Sequence, residues 1–137
     1  MNAPYTLDQL HAIIARVRAL AAQYPEAVYV KPTGRPVGEV DAEDEEANEF
    51  CSYFEGTVRG TDLTGCLFGQ PLREMGLLTE DVDRSIHGLA TGGDDRTPAD
   101  EIRTPLAWCS LAQRQQDSGK TWGDAVRCAD RMFPGVI

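Results

Sequence analysis

The sequence predicts an α+β fold, mostly α: four to five helices packed around a kinked central helix, with one small antiparallel β-hairpin. Three observations carry that expectation. Apolar residues recur at helical spacing near 6–23, 105–118 and 121–133. Short aromatic and β-branched runs flank Glu55-Gly56. Residues 62–76 read as a central helix in which Gly65 and Gly69 share one face.

Thr6 caps the first helix, and Gln9 completes a capping box. Leu7, Leu10, Ile13, Ile14, Val17, Leu20 and Ala21 then form one stripe. Tyr24-Pro25 ends it, because the residue before a proline avoids helical angles. The stripe is read as packing within its own domain, and it also has the pattern of a homodimer seam. Val28-Tyr29-Val30 is a short β-like run, and residues 31–38, with two prolines and two glycines, are loop. Phe50-Cys51-Ser52-Tyr53-Phe54 alternates as a strand, turns at Glu55-Gly56 and returns through Thr57-Val58-Arg59. Val28-Tyr29-Val30 is a candidate third strand. A hairpin of this size needs helices beneath it.

In the central helix Asp62 is the N-cap, and Gly76 supplies a left-handed end over which Leu77 folds back. Two helical glycines cost roughly 1 kcal/mol each relative to alanine. Close approach by a neighbouring backbone would offset that cost. Pro71 removes the bond to residue 67 and kinks the helix, with Gln70 bonding a freed carbonyl. The alternative is a helix ending near Gly69 and a new turn starting at Pro71.

Thr79 caps a short helix with Glu80 and Asp81 in its first turn, where the helix dipole favours acids, and Ile86 and Leu89 pack beneath it. Residues 90–97 read as a flexible loop. Its Gly92-Gly93 is followed by Asp94 and Asp95 rather than by the lysine a phosphate-binding loop requires. Thr97-Pro98 and Thr104-Pro105 are successive start signals, read as a short turn and then a helix from Pro105 to Ser118. Leu106, Cys109 and Ala112 form its inner stripe with Trp108 and Leu111, while Arg114, Gln115 and Gln116 are outward or flanking. After Gly119-Lys120, Thr121 caps a last helix whose Trp122, Ala125, Val126, Ala129, Met132 and Phe133 form one apolar face, stopped by Pro134-Gly135. The short linker makes these two helices a hairpin whose tryptophans share a core cluster.

At 137 residues, 42% of them apolar, the chain suits a single domain over 1–137, with an acidic loop at 39–49 and a flexible one at 90–97. No apolar run approaches the ~20 residues of a membrane span. Met1-Asn2-Ala3-Pro4-Tyr5 lacks the features of a signal peptide. The expected setting is the cytoplasm of a bacterium or of a phage-infected host, with no membrane association. Lysine occurs only at Lys31 and Lys120, and the arginine, alanine and glycine bias fits a GC-rich genome.

Charge is segregated. Residues 39–101 carry 17 acidic and 4 basic side chains, a net of −13, whereas the remainder carries 5 acidic and 9 basic, a net of +4. Such an acidic middle repels phosphate backbones, which argues against direct nucleic-acid binding, and it favours basic partners. The densest run holds Glu39, Asp41, Glu43, Asp44, Glu45, Glu46 and Glu49 with no basic residue. These seven are the candidate partner-binding residues, as a dock for a basic host or partner protein or as a phosphate mimic. The run lacks the central glycine and terminal glutamate of a calcium loop.

No catalytic, cofactor-binding or metal-binding residue is assigned. Cys51, Cys66, Cys109 and Cys128 form no C-x-x-C pair and read as small apolar filler. A zinc site would need Cys51, His87 and two helix cysteines to converge. His11 borders the seam of the first helix and reads as a surface residue. G-x-S-x-G is absent. Cys51 stands one residue from the acidic run, which opposes thiolate formation. No spacing singles out a pair of carboxylates. The leading expectation is a non-enzymatic interaction or regulatory protein, the alternative a nucleic-acid mimic, and the third a small hydrolase.

Cys51-x-Tyr53, Gly65-Cys66-Leu67-Phe68-Gly69-Gln70-x-Leu72 with Gly76, and Gln113-x-x-Gln116-Asp117-x-Gly119-x-Thr121-Trp122-x-x-Ala125-Val126 together resemble a group of small actinobacterial and actinophage proteins. The likeness covers about a third of the chain. Pro71, where alanine is expected, and the acidic residues 39–49 depart from it. The resemblance implies a phage or actinobacterial origin and brings no activity with it.

Overall fold

In the computed structural model, which describes residues 4–30, 52–80, 85–93 and 97–136, Thr6 and Gln9 exchange hydrogen bonds of 2.9 and 3.1 Å and start helix α1 (Leu7–Gln23). Its 3–4 stripe is buried from Leu10 to Ala21. Tyr24 ends the helix, and Pro25 and Ala27 then lend their carbonyls to Gly123 and Trp122, the first residues of α5 (Trp122–Met132). Those two amides have no intrahelical acceptor, so the α1–β1 link caps a second helix.

Strands β1 (Val28–Val30) and β2 (Thr57–Arg59) pair antiparallel, with Val28 opposite Arg59 and Val30 opposite Thr57. This corrects the expected hairpin. The partner of β2 is the distant run at 28–30, and residues 52–54 are not strand. The Tyr29 hydroxyl explains the exchange. It accepts from Ser52 N and donates to the Glu55 carbonyl, 2.9 Å each. The chain before β2 is thereby bent over the Tyr29 ring instead of extended beside β2.

The central segment also differs from expectation. Only Gly69–Glu74 is helical (α2), and residues 62–68 form a loop. Gly65 has φ +83°, which no right-handed helix accommodates. Pro71 therefore lies in the first turn of a short helix, where its missing N–H removes no helical bond, and it makes no kink. Gln70 thus has no carbonyl freed by a kink to bond; its Nε2 donates instead to Thr64 O (2.6 Å), which Arg73 shares, and to Gly65 O (3.4 Å), both in the preceding loop. The end of α2 matches expectation: Gly76, at φ +70°, donates to Arg73 O, and Leu77 donates to Leu72 O, a Schellman closure.

Helix α3 (Ile86–Thr91) starts at Ser85, whose hydroxyl accepts from Gly88 N at 3.1 Å, rather than at Thr79. The acids expected in its first turn fall partly at 81–84, outside the described residues, as do Asp94 and Asp95. Helix α4 runs unbroken from Asp100 to Asp117 with Pro105 inside it, so the expected short turn is the first turn of the same helix. The proline deletes a single bond, to the carbonyl of exposed Glu101, which water can reach. Thr121 caps α5 through Asp124 N at 3.1 Å.

The observed class is thus α+β and mostly α, with five helices and one small antiparallel sheet among the described residues. Its hub is α4, which packs on α1, α3 and α5 and reaches β1. Trp108 and Trp122 are both fully buried in one core with Leu10, Ile13, Tyr53, Leu67 and Phe68. Met132, expected on the apolar face of α5, is instead 63% exposed.

Candidate functional site

Three buried glutamines are the unusual feature of this interior. Gln116, expected on or beside the outer face of α4, is fully buried, and Gln113 and Gln70 are 3% and 8% exposed. Each holds irregular backbone. Gln116 Oε1 accepts from Leu67 N, and Gln113 Oε1 accepts from Ile86 N, both at 2.8 Å. Gln113 Nε2 donates to the Tyr53 hydroxyl at 2.8 Å. Leu67 sits in the loop before α2, and Ile86 opens α3. Each amide has no backbone acceptor of its own, and leaving one buried and unpaired costs about 1–3 kcal/mol. The glutamines remove that cost.

Tyr53 is the common anchor. Its carbonyl lies where a Cβ on either Gly65 or Gly69 would be, 2.2 and 2.0 Å away. The expected close approach at these two glycines is therefore real, although a loop and a helix start provide it rather than one helix face. Cys66 N, between them, donates to Ser52 O at 2.9 Å. Arg73 adds outer ties: it donates to Thr64 O (2.7 Å) and Gly69 O (3.1 Å), and its guanidinium lies 5.3 Å from the Phe54 ring centre. Trp122 Nε1 is the one buried side-chain polar atom without a hydrogen-bond partner among the described residues.

Among described residues, the thiols and histidines do not converge. Cys66 and Cys109 are fully buried, and burial pushes the Cys109 thiol far above its ordinary pKa, so it stays protonated. His11 on α1 and His87 on α3 are each half-buried. No group of three or more His, Cys, Asp or Glu among the described residues stands close enough to hold a metal ion. The described helices include none long and apolar enough to cross a membrane.

An open groove of about 810 Å³ runs along the outer face of α5, lined by Gln115, Lys120, Asp124, Arg127, Cys128, Asp130, Arg131 and Pro134. Five of them, at 124, 127, 128, 130 and 131, lie on one side of α5, and Gln115 comes from α4. Both carboxylates are already engaged. Asp124 accepts from Arg127, and chiefly that bond lowers its pKa. Asp130 Oδ1 accepts from Arg18 at 2.7 Å and from Trp108 Nε1 at 2.9 Å. Arg18 also donates to Val136 O at 2.8 Å and lies over the Trp108 ring, 5.2 Å from its centre. Lys120 and Arg131 have no ion-pair partner among the described residues.

The seven candidate partner-binding residues, Glu39, Asp41, Glu43, Asp44, Glu45, Glu46 and Glu49, lie outside the described residues, as does Cys51. The groove and the glutamines are what sequence reasoning missed. A signal existed for the second: Gln113 and Gln116 continue the four-three step of Ile102, Leu106 and Cys109 on the inner face of α4. Comparison with family models, curated proteins and solved structures found no match to the chain.

Proposed function

We propose that the chain is a non-enzymatic interaction or regulatory protein, of phage or actinobacterial origin, that binds a basic protein in the bacterial or host-cell cytoplasm. The observation that carries this reading is the charge segregation: a net of −13 over residues 39–101 against +4 elsewhere. A field of that sign steers basic partners and repels nucleic acid. The interior supports the same reading, since its buried glutamines and Tyr53 are bound to the fold's own groups. The seven carboxylates at 39–49 are the proposed contact. Their density, seven in eleven residues without a basic neighbour, also favours a second reading, in which the run imitates a phosphate backbone and occupies a nucleic-acid-binding protein.

The test compares the wild-type chain with a variant in which all seven acids are replaced by Gln or Asn. Each is used as bait in host lysate at low and high salt. Salt-labile capture of a basic protein by the wild type alone is the expected result. If nucleic acid displaces that protein, the mimic reading is the correct one. Equal capture by both baits contradicts both readings.

A further inference from the structure

The groove along α5 is opposite in character to the acidic middle, and an inference from it does not rest on the reading above. In a chain of net charge −9, it gathers three cations, Lys120, Arg127 and Arg131. Its two carboxylates already have partners, Asp124 in Arg127 and Asp130 in Arg18. Lys120 and Arg131 are exposed and have no ion-pair partner among the described residues. We propose that this groove is a docking site for a short acidic peptide segment of a partner protein.

Spacing selects the peptide over a compact anion. Lys120 and Arg131 are eleven residues apart, with Arg127 between them. Lys120 lies in the linker two residues before α5 begins; from Trp122 to Arg131 the helix advances about 14 Å, and Arg127 stands about 6 Å before Arg131 along it. No single phosphate or carboxylate spans that distance. An extended peptide advances ~3.3 Å per residue, so about five residues cover it, with acids at both ends. The lining also includes two less polar residues, half-buried Cys128 and Pro134. A small apolar side chain at the middle of the peptide suits those two residues. A volume of about 810 Å³ is ample for five residues lying in an open trough. Exposed ion pairs are weak and screened by salt, so the contact is low-affinity and salt-sensitive.

The test uses a fluorescein-labelled Glu-Glu-Ala-Glu-Glu peptide and fluorescence polarisation at low salt. Binding to the wild type is expected, weakened at least tenfold by the double variant Lys120→Glu/Arg131→Glu. Both side chains are exposed, and circular dichroism checks that the variant is folded. Arg59→Glu/Arg103→Glu makes the same change of net charge elsewhere and is expected to leave binding within twofold. A second readout is alkylation of Cys128 by iodoacetamide, mapped by mass spectrometry, which the peptide should slow in the wild type and not in the Lys120→Glu/Arg131→Glu variant. Absence of binding, equal losses in the two double variants, or full displacement by equimolar inorganic phosphate would overturn the proposal. So would self-association of the chain that the Lys120→Glu/Arg131→Glu variant abolishes, since the groove would then belong to a second copy.

Discussion

Gly69→Ala isolates the contact on which the middle of the fold depends. Two effects oppose each other. Alanine is the better helix former by up to about 1 kcal/mol, and less at a first helical position. Against this, a Cβ at Gly69 would lie 2.0 Å from the Tyr53 carbonyl oxygen and 3.0 Å from its Cα. Relief needs a movement of more than an ångström. The carbonyl cannot supply it freely, because Tyr53 is fully buried, its hydroxyl is held by Gln113 at 2.8 Å, and Ser52 O beside it holds Cys66 N at 2.9 Å. Overpacking of this kind costs roughly 1–3 kcal/mol and sometimes more. The collision wins, and a net loss of about 2–3 kcal/mol is expected. Gly65→Ala meets the same oxygen at 2.2 Å and adds the strain of φ +83°, so about 3–4 kcal/mol is expected. Gly60→Ala is the control: it has the same φ of +83° with nothing within 4 Å of its Cβ, and should lose only about 1 kcal/mol. The double variant Gly65→Ala/Gly69→Ala should fall short of additivity by about 1 kcal/mol or more, because one displacement of Tyr53 relieves both clashes. Chemical denaturation with unchanged slope measures all four. A Gly69→Ala protein as stable as the wild type, or strict additivity in the double variant, would refute the reasoning.

Three further outcomes are expected. Asp130→Ala leaves Arg18 and Trp108 Nε1 without their shared acceptor. The loss should be about 1–2 kcal/mol in denaturation, since the site is partly open to water. Tyr5 is 7% exposed, and burial pushes its hydroxyl up to about 12 from about 10. The unfolded chain then releases that proton first as pH rises. Stability from this group is intact below pH 10 and lost toward pH 12, by up to about 3 kcal/mol. In denaturation curves, the difference between wild type and Tyr5→Phe should change by that amount across the window. The hydrogen bond from Arg16, 2.8 Å away, lowers the pKa of Glu74. Its contribution is present above the ordinary glutamate pKa and lost as pH falls through the lowered value. With both side chains 40–49% exposed, the pair is worth only about 0.5 kcal/mol. Glu74→Gln should therefore destabilise by that much at pH 7 and by nothing at pH 2.

What could be read from the sequence was local. The Thr6–Gln9 box, the Thr121 cap and the left-handed end at Gly76 each depend on residues within a turn of one another, and each is present. The apolar stripe of α1 and the Leu106, Trp108, Cys109 and Ala112 part of the inner face of α4 follow from spacing alone. The pressure on Gly65 and Gly69 was legible because two glycines in a packed segment call for a neighbour; the neighbour's identity, Tyr53, was not. Misreadings came where a distant group decides. The β1–β2 pairing joins residues 28–30 to 57–59, and the Tyr29 hydroxyl, far away in sequence, bends the chain that looked like a strand. The start of α2 moved from Asp62 to Gly69 because Gly65 adopts φ +83° under the Tyr53 carbonyl, and periodicity does not register a sign of φ. Gln116 looked solvent-facing because glutamine is polar, yet its partner is the Leu67 amide, 49 positions away. The groove had no local signal for the same reason. Its polar face on α5 is visible, but the opposing wall at Gln115 comes from α4.

That the interior polar side chains serve to fasten loops is tested most directly by native-state hydrogen exchange at two amides. Leu67 N and Ile86 N lack backbone acceptors and are held by Gln116 and Gln113 alone. Both are expected to exchange as slowly as the helical amides of α4, and Gln116→Leu should release Leu67 while leaving Ile86 protected. Rapid exchange of Leu67 in the wild type, at the rate of an open loop, would contradict it.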